Sequence, residues 1–193
     1  KIMTLQDIKQ RFGIMGNNPL LERAIDVARQ VAPTDLNVLI NGESGTGKEF
    51  AARTLHQQSK RKNQPFIAID CGALSKDLAA SELFGHIKGA FTGAQIRKVG
   101  KFQAAAGGTI FFDEIGEMSY DLQKVLLRVI QERKLMMVGS NDETSIDVRI
   151  IAATNAPLEP MIESGQFRQD LFDRLNVIPI YTPSLKERIE DIP

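Results

Sequence analysis

The stretch "GESGTGKE", Gly42 to Glu49, restricts this chain more than any other. It follows a short apolar run, "NVLI" (Asn37 to Ile40), and precedes an amphipathic segment, "KEFAARTLHQQS". A strand, a glycine-rich loop and a helix, in that order, form the context in which such a loop cradles phosphate. The glycines let successive backbone N–H groups turn inward on an anion. The following helix presents its positive end to the same anion, and Lys48 adds a full charge near the outer phosphates. Gly42, Glu43, Ser44, Gly45, Thr46, Gly47, Lys48 and Glu49 are therefore the candidate nucleotide-binding residues. Glu49 stands where Ser or Thr ordinarily ligates magnesium. Its carboxylate either approaches the metal, directly or through water, or simply occupies the helix's first turn, where negative charge is favourable.

The rest of the chain alternates helix and strand around this loop. "NNPLLERAIDVARQVA" predicts a helix with Asn18 as cap and Pro19 at its first position. Its apolar stripe is Leu21, Ala24, Ile25, Ala28 and Val31. "FIAIDC" (Phe66 to Cys71), "GTIFFDE" (Gly108 to Glu114), "VRIIAATN" (Val148 to Asn155) and "VIPI" (Val177 to Ile180) read as further strands. Pro179 marks the last of them as a sheet edge. "SYDLQKVLLRVIQE" predicts a helix capped by Ser119, with Leu122, Val125, Leu126, Val129 and Ile130 on one face. Short apolar strands between amphipathic helices imply an α/β fold, a parallel sheet covered on both faces. Ligands of such sheets sit at the carboxyl ends of the strands.

Those ends carry the polar residues. "TIFFDE" delivers Asp113 and Glu114 beside the phosphate loop. The first is placed to hold a magnesium complex, and the second to polarise a water for attack on a γ-phosphate. Asn155 ends the next strand, where its amide can meet the γ-phosphate or the attacking water. In "FRQDLFDRLN", Phe167, Leu171 and Leu175 mark a helical apolar face. Arg168 and Arg174 are offset from it and free to reach a phosphate or to pair with Asp170 and Asp173.

The totals set the class. Lys plus Arg and Asp plus Glu both number 24, so the 193-residue chain has no net charge. That argues against a broad basic face for DNA. The densest basic run, "SKRKNQ" (Ser59 to Gln64), reads as a solvated loop after a helix. Cys71 is the only cysteine, which rules out an internal disulfide and suits a reducing, cytoplasmic compartment. No apolar run approaches the ~20 residues of a membrane span. The chain reads as a piece of something longer.

"GAFTGA", Gly89 to Ala94, poses a separate question. Its one large side chain, Phe91, sits among small residues on a scaffold that Gly89 and Gly93 weaken. Phe91 either folds back into the core or is kept for a contact outside the chain.

"GESGTGKE", "SELFGH", "GAFTGA", "GGTIFFDEIGEM", "VRIIAATN", "FRQDLFDRLN" and "LKERIEDI" occur in that order. With them the chain resembles, from about Phe12 to Pro193, the AAA+ central domain of bacterial sigma-54-dependent transcriptional activators. The resemblance implies a P-loop NTPase of five parallel strands between helices, with "GAFTGA" on a loop inserted in a helix. It implies ATP and Mg2+ as ligands, hydrolysis in a ring of six or seven subunits, and sites shared between neighbours. Lys48, Asp113 and Glu114 would act in one subunit, Asn155 as its sensor, and Arg168 and Arg174 as fingers from the next. Ile14 and Met15 would join the nucleotide-binding residues, and Asp113 and Glu49 the metal site. Gly89, Ala90, Phe91, Thr92, Gly93 and Ala94 would touch sigma-54 bound to RNA polymerase, and hydrolysis would open the promoter complex. Residues 1–193 would be the AAA+ core alone, without the helical lid, the regulatory domain of a two-component system, or the domain that binds enhancer DNA.

Three positions depart from the family's pattern. Asp70 stands where Asn usually holds the catalytic Glu in check. An acid next to Glu114 is expected to raise one of the two proton affinities or to repel. Ile87 replaces an acid before "KGAFTGA", and Met137 an arginine in "MMVGS", which weakens the expected polar contacts between that second loop and the first. Two other readings compete: a module that assembles with ATP but scarcely hydrolyses it, and an AAA+ protein with another client. "GAFTGA" argues against the second.

Overall fold

A computed structural model describes residues 4–12, 16–184 and 186–187. Ile14, Met15 and most of "LKERIEDI" lie outside the described residues. The element order is α1 (Leu5–Phe12), α2 (Pro19–Val31), β1 (Val38–Asn41), α3 (Lys48–Gln57), β2 (Phe66–Asp70), α4 (Ala79–Phe84), α5 (Lys101–Ala104), β3 (Thr109–Asp113), α6 (Tyr120–Glu132), β4 (Lys134–Met136), β5 (Glu143–Ser145), β6 (Arg149–Thr154), α7 (Glu159–Glu163), α8 (Gln169–Leu175) and β7 (Ile178–Tyr181).

Five strands form one sheet in the order β2-β3-β6-β1-β7, and every pairing is parallel. Alternation along each strand feeds two cores. Leu39, Ile69, Ile110, Phe112, Ile150 and Ala152 face one way, with buried residues of α4, α5, α6 and α8. Val38, Ile40, Phe111, Ile151, Ala153 and Ile180 face the other, with α2 and α3. The strands read as unbroken apolar runs because both faces are covered. β7, with Pro179, lies at the sheet edge.

Asn18 caps α2, its side chain accepting from the Leu20 N–H, with Pro19 in the first turn. Ser119 accepts from the Leu122 N–H and caps α6. Helix α6 departs from the predicted stripe in one respect. Val125 is 43% exposed, whereas Leu127 and Gln123 are buried. Gln123 turns inward because its amide donates to the Met118 and Gln166 carbonyls and accepts from the Arg168 N–H. Side-chain hydrogen bonding, invisible to hydrophobic periodicity, decides that position. The antiparallel hairpin β4–β5 and the short helices α4, α5 and α7 also escape the sequence reading, because each is too short to show a period.

"SKRKNQ" is a loop of turns after α3, with Lys60, Lys62, Asn63 and Gln64 exposed, but Arg61 turns inward: its guanidinium pairs with Asp35 at 3.0 Å and Asp147 at 2.6 Å and donates to the Gly107 carbonyl at 2.9 Å. It draws three connections together at the amino end of the sheet. Beside it Arg149, 1% exposed, donates to the carbonyls of Ala32, Val31 and Leu36. A cation there complements the negative end of α2. Burial pulls the Arg149 pKa down to about 10, so the residue stays charged at neutral pH.

Candidate nucleotide site and protruding loop

The phosphate loop leaves the carboxyl end of β1 and ends at Gly47, which holds left-handed backbone (φ 92°) before α3. Lys48 is buried, and its ammonium donates to the Gly42 carbonyl at 2.9 Å and the Glu43 carbonyl at 3.0 Å. Asp113 closes β3, with Oδ1 accepting from the Glu114 N–H at 3.0 Å. Glu114 then adopts φ 51°, a conformation uncommon for residues other than glycine and costly to hold. This turn swings its carboxylate across the sheet edge. Oε1 lies 3.4 Å from Lys48 Nζ, and Oε2 accepts from the Asn155 N–H at 3.0 Å. Lys48, Asp113, Glu114 and Asn155 thus meet where β1, β3 and β6 end. Beside them a cleft of about 840 Å³ opens, lined by Leu20, Arg23, Asn41, Glu43, Asn155 and Tyr181 among others. That volume lies within the range of small-molecule sites.

Burial, and next the charge of Glu114, push the Asp113 carboxyl above the usual carboxylate range. Asp70 stands opposite Asp113 in the strand register, but it meets no carboxylate through a hydrogen bond. Its Oδ1 accepts from the Gly72 N–H at 2.9 Å. Asp70 adds a minor push to the raised Asp113 carboxyl. Glu49 occupies the first turn of α3 and pairs with Arg53, one turn on, at 2.7 Å. Negative charge in that first turn is favourable to the helix. Cys71 is buried, and burial raises its thiol pKa, so it offers no thiolate.

Arg168 caps α8. It pairs with Asp170 at 2.7 Å and lies 5.4 Å over the Tyr120 ring. Arg174 is exposed in the last turn of α8. Its carbonyl accepts from the Asn37 side chain at 2.8 Å. Asn37 stands before β1, at the end opposite to the one that feeds the phosphate loop.

"GAFTGA" projects between α4 and α5 as a series of turns. The Gly89 N–H donates to the Ala94 carbonyl at 2.8 Å, and the Ala94 N–H to Phe91 at 3.0 Å. Thr92 is exposed. Phe91 is 38% exposed and sets its ring edge-on to His86, with centroids 5.0 Å apart. It is not part of either core. His86, the last residue of "SELFGH", is buried, though the motif assigns it no role. Its ring nitrogens meet Ser81 Oγ at 2.6 Å and the Ile96 carbonyl at 3.0 Å. The second loop packs on the first through the backbone, with Ile87 N–H to Val138 at 3.2 Å and Val138 N–H to Gly85 at 2.9 Å. Arg97 adds a donor to the Met137 sulfur at 3.7 Å. The contacts between the loops thus survive Ile87 and Met137 because main-chain groups make them.

No helix among the described residues is long and apolar enough to cross a membrane. The family described as Sigma-54 interaction domain matches residues 14–181. The transcriptional regulatory protein GlrR of Escherichia coli (strain K12) is 54% identical over 187 residues, covering 97% of this chain and 42% of GlrR. The chain thus spans less than half the length of that relative. The crystal structure of NtrX from Brucella abortus in complex with ATP is similar at a TM-score of 0.85 and 38% identity, over 93% of this chain and 40% of NtrX. The P-loop NTPase domain of a sigma-54 transport activator from E. coli shares the fold at a TM-score of 0.59 and 19% identity, over 89% of this chain and 99% of that one. The phosphate loop, the acids at the sheet edge and these likenesses agree: the chain belongs to the sigma-54 interaction domain family, and its fold is that of an AAA+ P-loop NTPase.

Proposed function

We propose that this chain is the ATP-hydrolysing domain of a sigma-54-dependent transcriptional activator, and that residues 1–193 are its AAA+ core. One observation carries the reading: the left-handed turn at Glu114 brings its carboxylate to both Lys48 and the Asn155 N–H. A triphosphate entering the loop takes the Lys48 ammonium, which frees Glu114 Oε1 to accept a proton from a water. Asn155, on the next strand, lies within reach of the same water and reports whether the γ-phosphate is there.

Magnesium suits these residues. Asp113 supplies a hard oxygen at the sheet edge, and its second oxygen is not engaged by the Glu114 N–H. Magnesium in nucleotide sites is held by one or two carboxylates together with phosphates and water, and Asp113 would be one of them. Bound there, Mg2+ neutralises charge on the phosphate oxygens. Glu49 reaches it only by leaving Arg53.

Arg174 lies at the far end of its own β1, which supports a role in a neighbour's site. Arg168 is a second such finger within a ring, and fingers of this kind are worth roughly 10³–10⁵ in rate. The exposed Phe91 and Thr92 on the "GAFTGA" loop are the grip on sigma-54 and RNA polymerase. Small neighbours let the tip rearrange between nucleotide states, and hydrolysis drives the promoter complex from closed to open. Enhancer DNA is bound elsewhere in the full-length protein.

Two variants of the full-length protein separate the parts. Glu114→Gln is expected to bind ATP but lose turnover. Thr92→Ala is expected to retain ATPase activity yet fail to open a sigma-54 promoter. Turnover in the first removes Glu114 from the chemistry; normal opening by the second removes the loop from the partner contact.

A further inference from the structure

The tertiary structure brings one more side chain to the phosphate loop, from the opposite end of the chain. Thr182 follows the edge strand β7. Its N–H donates to the Asn41 carbonyl at 2.8 Å, and its hydroxyl lies 3.2 Å from the same oxygen. That hydroxyl also lies 2.8 Å from Thr46 Oγ1, inside the loop, and Thr46 Oγ1 lies 2.8 Å from the Glu43 carbonyl. Both threonines are buried. The close approach depends on Gly42, since a Cβ there would collide with Thr182 Oγ1.

Each hydroxyl has one proton to donate, so the run Asn41 O, Thr182 Oγ1, Thr46 Oγ1, Glu43 O has two arrangements. In one, Thr46 donates to Thr182 and Thr182 to Asn41. In the other, Thr182 donates to Thr46 and Thr46 to Glu43. The Glu43 carbonyl also accepts from Lys48 at 3.0 Å. A phosphate that draws the ammonium away leaves that carbonyl the Thr46 N–H, a long bond at 3.4 Å. The second arrangement adds the Thr46 hydroxyl, at 2.8 Å, as a closer donor. The Asn41 carbonyl keeps the Thr182 N–H in either case.

We propose that Thr182 is a positioning residue for nucleotide binding, holding the phosphate loop through Thr46 when Lys48 turns to the phosphates. The proposal rests on "GESGTGKE" being the phosphate cradle. ATP and ADP titrations of the wild type, Thr182→Val, Thr182→Ser and Lys48→Ala test it. Valine keeps the shape of threonine without the hydroxyl. Thr182→Val is expected to weaken binding of both nucleotides by about two- to tenfold, the range for one hydrogen bond, with kcat retained at saturating ATP. Thr182→Ser is expected to restore the affinity. A role in packing alone would instead lower the melting temperature of the nucleotide-free protein and leave the affinity of the folded fraction unchanged. Wild-type affinity in Thr182→Val, or equal weakness in Thr182→Ser, overturns the proposal. If Lys48→Ala also binds normally, the cradle reading itself has failed; if Lys48→Ala alone is weak, only the role of Thr182 has.

Discussion

At the scale of single residues, the site is built on unfavourable choices. Glu114 holds a left-handed backbone that a glycine would adopt freely, and Asp113 keeps a carboxylate where burial resists its charge. Both are expected of groups meant to meet a ligand rather than to stabilise the empty fold. Asp113 gives a measurable sign. Its folded pKa is raised above the unfolded value, so ionising it costs the folded state at neutral pH. That cost fades as pH falls through the folded pKa and is gone below the ordinary value of 3.8. Asp113→Asn is therefore expected to raise the melting temperature of the nucleotide-free protein at pH 7, with the gain shrinking as the solution is acidified. With ATP and Mg2+ present the order should reverse, because an amide is the poorer ligand for the cation. Thermal melts at several pH values, with and without ligand, read both effects.

At the scale of elements, the protruding loop is fastened at a narrow neck. Gly85, where it leaves α4, holds φ 75°, and a Cβ on Gly100, where it returns, would run into backbone of Leu83, Phe84 and Gly85. The two strands of the neck touch main chain to main chain. His86 stands just inside it, with Phe91 against its ring. Such a neck fixes the base of the loop and leaves the tip, Gly89 to Ala94, to rearrange. Gly100→Ala is expected to spread the neck, costing about 1–3 kcal/mol of overpacking. Denaturant unfolding reads that cost, and limited proteolysis should show faster cleavage between residues 86 and 99. An unchanged cleavage rate would mean that the base is not held at this point.

At the scale of the molecule, the charged residues divide by the two ends of the sheet. The carboxyl end gathers Lys48, Asp113, Glu114 and Asn155. The amino end gathers Arg61, Asp35, Asp147 and Arg149, which tie connections together, and Arg174 lies with them. That position, away from its own phosphate loop, is why Arg174 is proposed as a finger for another subunit's site. Mixing Arg168→Ala subunits with Lys48→Ala subunits is expected to restore part of the ATPase activity that each lacks alone, since some interfaces then combine an intact loop with an intact arginine. Activity measured across mixing ratios checks this. The absence of rescue at every ratio would place Arg168 outside a shared site.

The sequence by itself determined the sheet, its burial on both faces and the place of the phosphate loop, because these follow from local signals: apolar runs, cap residues and a glycine pattern between strand and helix. It also marked Asp113, Glu114 and Asn155 as strand-end residues. What it left open were contacts between residues far apart in the chain. The Glu114 carboxylate reaches two other strand ends, Arg61 leaves its basic run for two distant aspartates, Gln123 turns into the core, and Thr182 meets Thr46. No period or spacing encodes these, because the partners become neighbours only when the parallel strands are laid side by side. Tertiary structure alone decided them, and the way the loop of Phe91 is held at its base.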